Sequence, residues 1–446
     1  MNAPATELMT CREDRGAPRT LLVTGTLPGT AGVGAIILRD LLADMPKGSV
    51  CCVAAVRRGT GTRSSQDRDC QADVVFERRF ETAYRPVRGL AGEIVSAVVR
   101  RALFRRHVAG FVTQATASGQ RHAVELVWAV LDCPTTILAA RDVAGRLGVP
   151  LVVLVWDPPE VLAAQLNHDR FTRSALLSEF ESTMRFADRC GVVGESMKAR
   201  YDAAYGQQCV IVRHGLASSR WREVRSRTWP GREVRVGYAG SITAPGTFRT
   251  LVQMLDSRGW ELGGRDVVLR LIGARHQLNP RGPQRIEYYG WRSVDETVTL
   301  LSECNLLYLP QSFSERLRPL AELSFPTKLS TYLAAGRPVL LHAPHYASVA
   351  PFFERYPFGV WCRSMELDTL ASALCRLAVP GADVDQTCRH VERARQEELN
   401  ADVFRRRFRQ LLGLEQGERA TESSHLDGPE LDGGGNGAEA LAASTS

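Results

Sequence analysis

Short apolar, β-branched runs recur along almost the whole chain, most of them separated by stretches of helical periodicity. No other feature constrains the fold as strongly. The first series is TLLVTGTL (20–27), VCCVAAV (50–56), DVVFERRF (73–80), AVELVWAVLD (123–132), LVVLVWD (151–157), CGVVGE (190–195) and CVIVRHG (209–215). A second begins at VRVGYAGS (234–241) and continues with VVLRLIG (267–273), IEYYGW (286–291), NLLYLPQ (305–311), PVLLHAP (338–344) and GVWC (359–362). Strands that are apolar on both faces belong in parallel sheets covered by helices on both sides. The main helical patterns lie at 35–42, 93–112, 136–147 and 174–187, with further helices at 389–398 and 404–412. A chain of 446 residues exceeds one ordinary core, so two doubly wound, Rossmann-like α/β domains facing across a cleft are expected. The predicted organisation is a disordered 1–18, a first domain 19–216, an arginine-rich linker 217–232 and a second domain 233–385. Helices at 386–412 would return to the first domain, followed by a disordered tail, 413–446.

Ligands of such sheets lie beyond the carboxyl ends of the strands. Those ends carry Gly32 and Gly34 in the loop PGTAGVGA, Asp132, Asp157, Gly240–Ser241, Gly273 to Arg275, Gly290–Trp291 and Gln311 to Phe313. The segment SFPTKLSTYLAAGRPVLLHAP (324–344) adds Lys328 in what reads as the first turn of a helix opened by Pro326. A helix start is already positive and ordinarily prefers acids, so a lysine there points to a bound anion such as phosphate.

Together, VGYAGSITAPGTFRTLVQML, LRLIG, RIEYYGWRSVDETVTLLSECNLLYLP and FPTKLSTYLAAGRPVLLHAP resemble the donor half of GT-B glycosyltransferases of the family-4, retaining type. LVWDPPE, ADRCGVVGESMKARY and VIVRHGL extend the resemblance into the first half. It implies transfer of a sugar from a nucleoside diphosphate sugar to a glycan, a lipid-linked acceptor or a small natural product, with no further cofactor and no metal. The implied donor site comprises Gly32, Gly34, Gly240, Ser241, Arg275, Gly290, Trp291, Glu322, Pro326, Thr327 and Thr331. Lys328 would neutralise the leaving diphosphate, and Asp157 would stand near the transferred sugar and the acceptor. Where the family has an arginine, a lysine and a ribose-binding glutamate, this chain has Ser241, Gly246 and Thr331. Those replacements motivate a second reading, a nucleotide-sugar-binding partner of another transferase; a third is a GT-B nucleotide-sugar epimerase, which would want paired carboxylates at the sugar.

The net charge of +7 is uneven, because residues 413–446 hold seven acids and one arginine and the remainder is correspondingly more basic. No nucleic-acid motif accompanies that charge. Arg100, Arg101, Arg105 and Arg106 share a helix with Val95, Val98, Val99, Ala102 and Leu103. A solvated arginine face over a buried apolar stripe is the ordinary reading, and peripheral contact with a membrane is the alternative. The N-terminal stretch lacks the apolar core of a secretory signal, and eleven unpatterned cysteines suggest reduced thiols, so a cytoplasmic protein without a metal site is expected. His214 reads as a hinge residue satisfied by backbone.

Overall fold

The computed structural model describes residues 17–29, 32–57, 73–81, 89–224, 232–273, 285–378 and 382–414. The first sheet consists of β1 (Thr20–Thr24), β2 (Val50–Val56), β3 (Val74–Glu77), β4 (Leu126–Val130), β5 (Leu151–Leu154), β6 (Arg189–Val192) and β7 (Val210–Ile211). Its order is β3-β2-β1-β4-β5-β6-β7, parallel throughout. The second contains β8 (Glu233–Ala239), β9 (Glu261–Leu262), β10 (Arg265–Ile272), β11 (Ile286–Gly290), β12 (Leu306–Pro310), β13 (Val339–His342) and β14 (Gly359–Cys362). Here β11-β10-β8-β12-β13-β14 run parallel, and β9 pairs antiparallel with β10.

The helices of the first half are α1 (Val33–Leu42), α2 (Leu90–Arg121), α3 (Pro134–Leu147), α4 (Pro159–Gln165), α5 (Arg170–Phe186) and α6 (Glu195–Tyr205). Those of the second are α7 (Pro245–Ser257), α8 (Val294–Ser302), α9 (Arg318–Leu323), α10 (Lys328–Ala334), α11 (Ala350–Arg355), α12 (Leu367–Ala378), α13 (Ala382–Glu397) and α14 (Ala401–Leu412). Successive strand residues point to opposite faces, and both faces are covered. Leu21 and Val23 join the core under α2 and α3, whereas Leu22, Trp128 and Leu154 join a second core with Phe404, Phe408 and Leu411 of α14. The Trp128 and Phe408 rings lie 4.6 Å apart. α14 thus packs on the first sheet, while α13 packs on α10. Two chain segments meet where Leu216 N–H donates to the Leu399 carbonyl at 3.1 Å, beside Gly215, whose missing Cβ leaves room for the Asn400 backbone.

Every strand expected from the sequence is present. β9 was not foreseen, because two residues carry no period; it turns into β10 through Gly263 and Gly264, both with positive φ, as in a tight hairpin. α2 continues past residue 112 through small residues, where Ala115 and Ser118 are buried and Gly119 leaves no space before Leu147. Its orientation also differs from the expectation. Val95, Val98, Val99 and Leu103 face outward, and Arg100 turns in, 3.4 Å from Asp169 at the start of α5. Among the described residues no helix is long and apolar enough to cross a membrane. Arg275, residues 225–231 of the expected linker and almost all of the two expected disordered ends lie outside the described residues.

Candidate active site

Each sheet reverses its strand order once, between β1 and β4 and between β8 and β12. Such switch points open a crevice at the strands' carboxyl ends. A cavity of about 310 Å³ opens there, walled by Gly34, Trp156, Asp157 and His214 from the first domain and by Gln311, Pro326, Thr327 and Lys328 from the second. A neighbouring cavity of about 230 Å³ belongs to the first domain and is lined by Thr26, Arg57, Arg78 and Asp132. Gly34, Trp156 and Gln165 line both. Gly34 is required by close approach, since a Cβ there would meet the Trp156 ring at 2.8 Å.

On the second domain, Gly240, Gly273 and Gly290 end three adjacent strands. Gly240 N–H donates to the Ile272 carbonyl at 2.8 Å and Gly273 N–H to the Gly290 carbonyl at 2.7 Å. All three have positive φ, and a Cβ on Gly273 would press on the Gly240 backbone. Side-chain-free strand ends let a ligand approach the backbone. Lys328 reaches this platform. Its Nζ donates to the Tyr238 hydroxyl at 2.7 Å and to the Ser241 carbonyl at 3.0 Å, and lies 4.3 Å from the centre of the Tyr238 ring. Burial holds the ammonium well below its ordinary value, at about 7.

The helix carrying Lys328 is shorter than expected. α10 has seven residues, Thr327 caps it, and Pro326 precedes it, accepting the Leu329 N–H at 3.0 Å. The proline shapes the approach rather than the first turn. Thr331 is half-buried and is not on the wall of the larger cavity. Glu322 also stands off that wall, its carboxylate 3.3 Å from Arg318 Nε. Trp291 is exposed beside Gly290, and Gly32, with φ 97°, caps α1. Arg275 lies outside the described residues.

On the first domain, burial raises the Asp157 carboxyl above its ordinary value, opposed by the neighbouring Ser324 hydroxyl. Asp132 is raised by burial too, although it accepts from Gly25 N–H and from the Thr26 hydroxyl, both at 2.7 Å. Its oxygens latch the loop after β1. His214 is satisfied by a carboxylate rather than by backbone: a ring nitrogen lies 3.1 Å from Asp40 Oδ2. Arg213, which the sequence reading passed over as part of an apolar run, is buried at the back of the larger cavity. It donates to Glu195 at 2.7 Å and stacks 4.1 Å from the centre of the Phe325 ring. A charged residue interrupting an apolar strand end was its sequence signal.

Among the described residues one cluster at ligand spacing exists, despite the expectation of none. Cys51, Asp73 and His122 meet at the opposite, amino ends of β2 and β3, away from the cleft. Burial pushes the Cys51 thiol up to about 11, which keeps it protonated. Cys51, Cys133, Cys190, Cys209, Cys304, Cys362, Cys375 and Cys388 are free thiols.

No protein-family model matches the sequence, and no curated protein matches it. Solved structures do match. Sucrose-phosphate synthase from Thermosynechococcus elongatus aligns at TM-score 0.63 and 14% identity, covering 89% of this chain and 98% of that one. HepE from Anabaena, in complex with UDP and glucose, aligns at 0.59 and 14%, covering 89% and 100%. A trehalose-phosphate synthase from Burkholderia xenovorans, in complex with glucose-6-phosphate, aligns at 0.57 and 13%, covering 88% and 100%. The chain has the GT-B fold. Within this GT-B chain the two cavities lie at and beside the crevice that the two switch points open.

Proposed function

We propose that this GT-B chain transfers a sugar from a nucleoside diphosphate sugar to a carbohydrate or other hydroxylated acceptor. The observation that carries the reading is Lys328. It sits in the interdomain cavity, its ammonium held on the Gly240–Ser241 platform and close to neutrality. A diphosphate there would restore its charge, and the charge would count most as the glycosidic bond breaks and the leaving group becomes more anionic. Gly240, Gly273 and Gly290 would admit the diphosphate and nucleoside to the backbone, with Ser241 and Trp291 flanking them. Asp157, on the facing wall, is the candidate group nearest the transferred sugar and the acceptor, and Gly34 shapes both cavities. Stereochemical retention is part of the proposal by resemblance to the family-4 type.

Solved neighbours of the same fold hold UDP, UDP-glucose and glucose-6-phosphate, which makes uridine nucleotides and sugar phosphates the first probes. Thermal shift against uridine, guanosine and deoxythymidine diphosphates and their sugars, paired with a hydrolysis assay, tests the reading. Stabilisation by at least one nucleotide, lost in Lys328→Ala, is expected. Stabilisation without hydrolysis or transfer would favour the second reading, a nucleotide-sugar-binding protein, whose support is the neutral Ser241 and Gly246. No response to any nucleotide would remove both.

A further inference from the structure

Among the described residues nothing covers the outward face of α2, and that face is not what a solvated helix presents. Val95 and Val98 are each 63% exposed and Val99 is 52% exposed, with Ile94 and Leu103 beside them. From Ile94 to Arg121 the helix contains no acid, and Arg101, Arg105 and Arg106 project around the valines. α5 continues the surface with the exposed Phe171, over whose ring the Arg170 guanidinium lies at 4.6 Å. Contiguous exposed apolar side chains ringed by cations suit the boundary between acyl chains and anionic headgroups.

Between α2 and α5 this surface opens into an apolar groove of about 200 Å³, reaching from Val98 and Phe104 to Leu138 and Pro134. Glu179, the acid on its wall, is 3.4 Å from Arg141. Pro134 is also a wall of the polar cavity that holds Asp132, Arg57 and Arg78. Arg78 brings a buried Nε that has no hydrogen-bond partner. Arg78 also lies 3.5 Å from Glu81, and Asp132 shares the cavity, so the apolar channel adjoins a charged pocket that in turn shares Gly34 and Trp156 with the interdomain cavity.

We propose that the α2–α5 face docks on an anionic lipid bilayer and that the acceptor is a membrane lipid with a phosphate-bearing head. Its chain lies in the groove and its head group rests against Arg78 and Arg57. The proposal deepens the glycosyl-transfer reading and rests on it for the role of acceptor, whereas the docking itself does not require catalysis. The surface matches a bilayer in both halves of its chemistry, apolar depth and an α2 stripe of arginines without acids from Ile94 to Arg121, which a neutral polysaccharide would leave unused.

Co-sedimentation of the full chain with vesicles of phosphatidylcholine, alone or with about one-third phosphatidylglycerol, tests the docking. Partition onto the anionic vesicles is expected, weakening about fivefold for each of Arg101, Arg105 and Arg106 replaced by Gln. Val98→Asp with Val99→Asp should abolish it while leaving the thermal shift by UDP unchanged, which separates loss of docking from loss of folding or of donor binding. Equal partition onto neutral vesicles, or none onto either, overturns the proposal. A wild-type dimer in solution that Val98→Asp splits would overturn it as well and assign the face to a second copy. For the acceptor, transfer from a responding donor to a phosphate-headed lipid in those vesicles should fall at least tenfold in Arg78→Ala and recover in part in Arg78→Lys, with vesicle binding unchanged. Transfer to glucose-6-phosphate alone would make the acceptor soluble and refute the lipid assignment. If vesicles bind but no nucleotide does, docking stands and the transferase reading falls.

Discussion

Lys328→Met keeps the apolar stem of the side chain and removes its titration, so it isolates what the ammonium contributes. With a value near 7, Lys328 is about half charged at neutrality and about one-tenth charged at pH 8. Only the charged form complements a diphosphate, so affinity must fall as pH rises through and above 7. The expected slope approaches tenfold per pH unit, or about 1.4 kcal/mol, until the value in the complex is passed. If the bound diphosphate returns the lysine to its ordinary range near 10, binding at pH 8 takes up about 0.9 of a proton. Calorimetry of UDP binding at pH 8 in buffers of different ionisation enthalpy reads that uptake directly. The Met variant should show no uptake from this site and a flatter pH profile. At pH 6, where the wild-type lysine is charged, it should also bind about 10- to 100-fold more weakly, the loss of one charge-assisted bond of about 1.5–3 kcal/mol. A wild-type enthalpy independent of buffer, together with a pH profile that the variant shares, would refute the assignment of Lys328 to the diphosphate.

Asp157→Asn should reduce transfer by about 10²-fold while leaving UDP affinity within about twofold, as single-turnover kinetics and calorimetry will show; this is the loss expected for a group acting at the reacting centre. Chelation by EDTA should leave transfer unchanged, because the negative charge of the leaving group is assigned to Lys328; abolition with recovery on adding magnesium or manganese counts against this. Thr331→Glu should tighten UDP binding by a few fold and deoxythymidine diphosphate binding by less, if the residue faces the ribose, since a charge-assisted bond is about twice as strong as a neutral one. Phe408→Ala should cost about 3–5 kcal/mol in chemical denaturation, because the ring is fully buried against Trp128 and its removal leaves a cavity.

The alternation of apolar strands and helices determined both sheets, because strands covered on two faces leave an unbroken apolar record in the chain. It also marked the carboxyl ends of the strands, and with them Gly240 and Asp157, since the strands of a parallel sheet all end on one side; Lys328 lines the cavity on that side from α10. Period alone could not orient α2. That helix carries two stripes, each mixing apolar side chains with arginine. Arg100 faces inward only because α5 places Asp169 3.4 Å away, and Val95, Val98 and Val99 face outward as a result. The same limit applies to His214 with Asp40, to Lys328 folded onto Tyr238 and the Ser241 carbonyl, and to Cys51 with Asp73 and His122. Each joins residues far apart in the chain, and no local spacing encodes which distant partner arrives. What the sequence by itself determined here is periodic and local: element type, order and the residues at the carboxyl end of each strand. What only the tertiary structure decided is which charges are buried, whom they pair with and which apolar stripe is left facing out, because burial and pairing depend on neighbours that only the packed fold supplies.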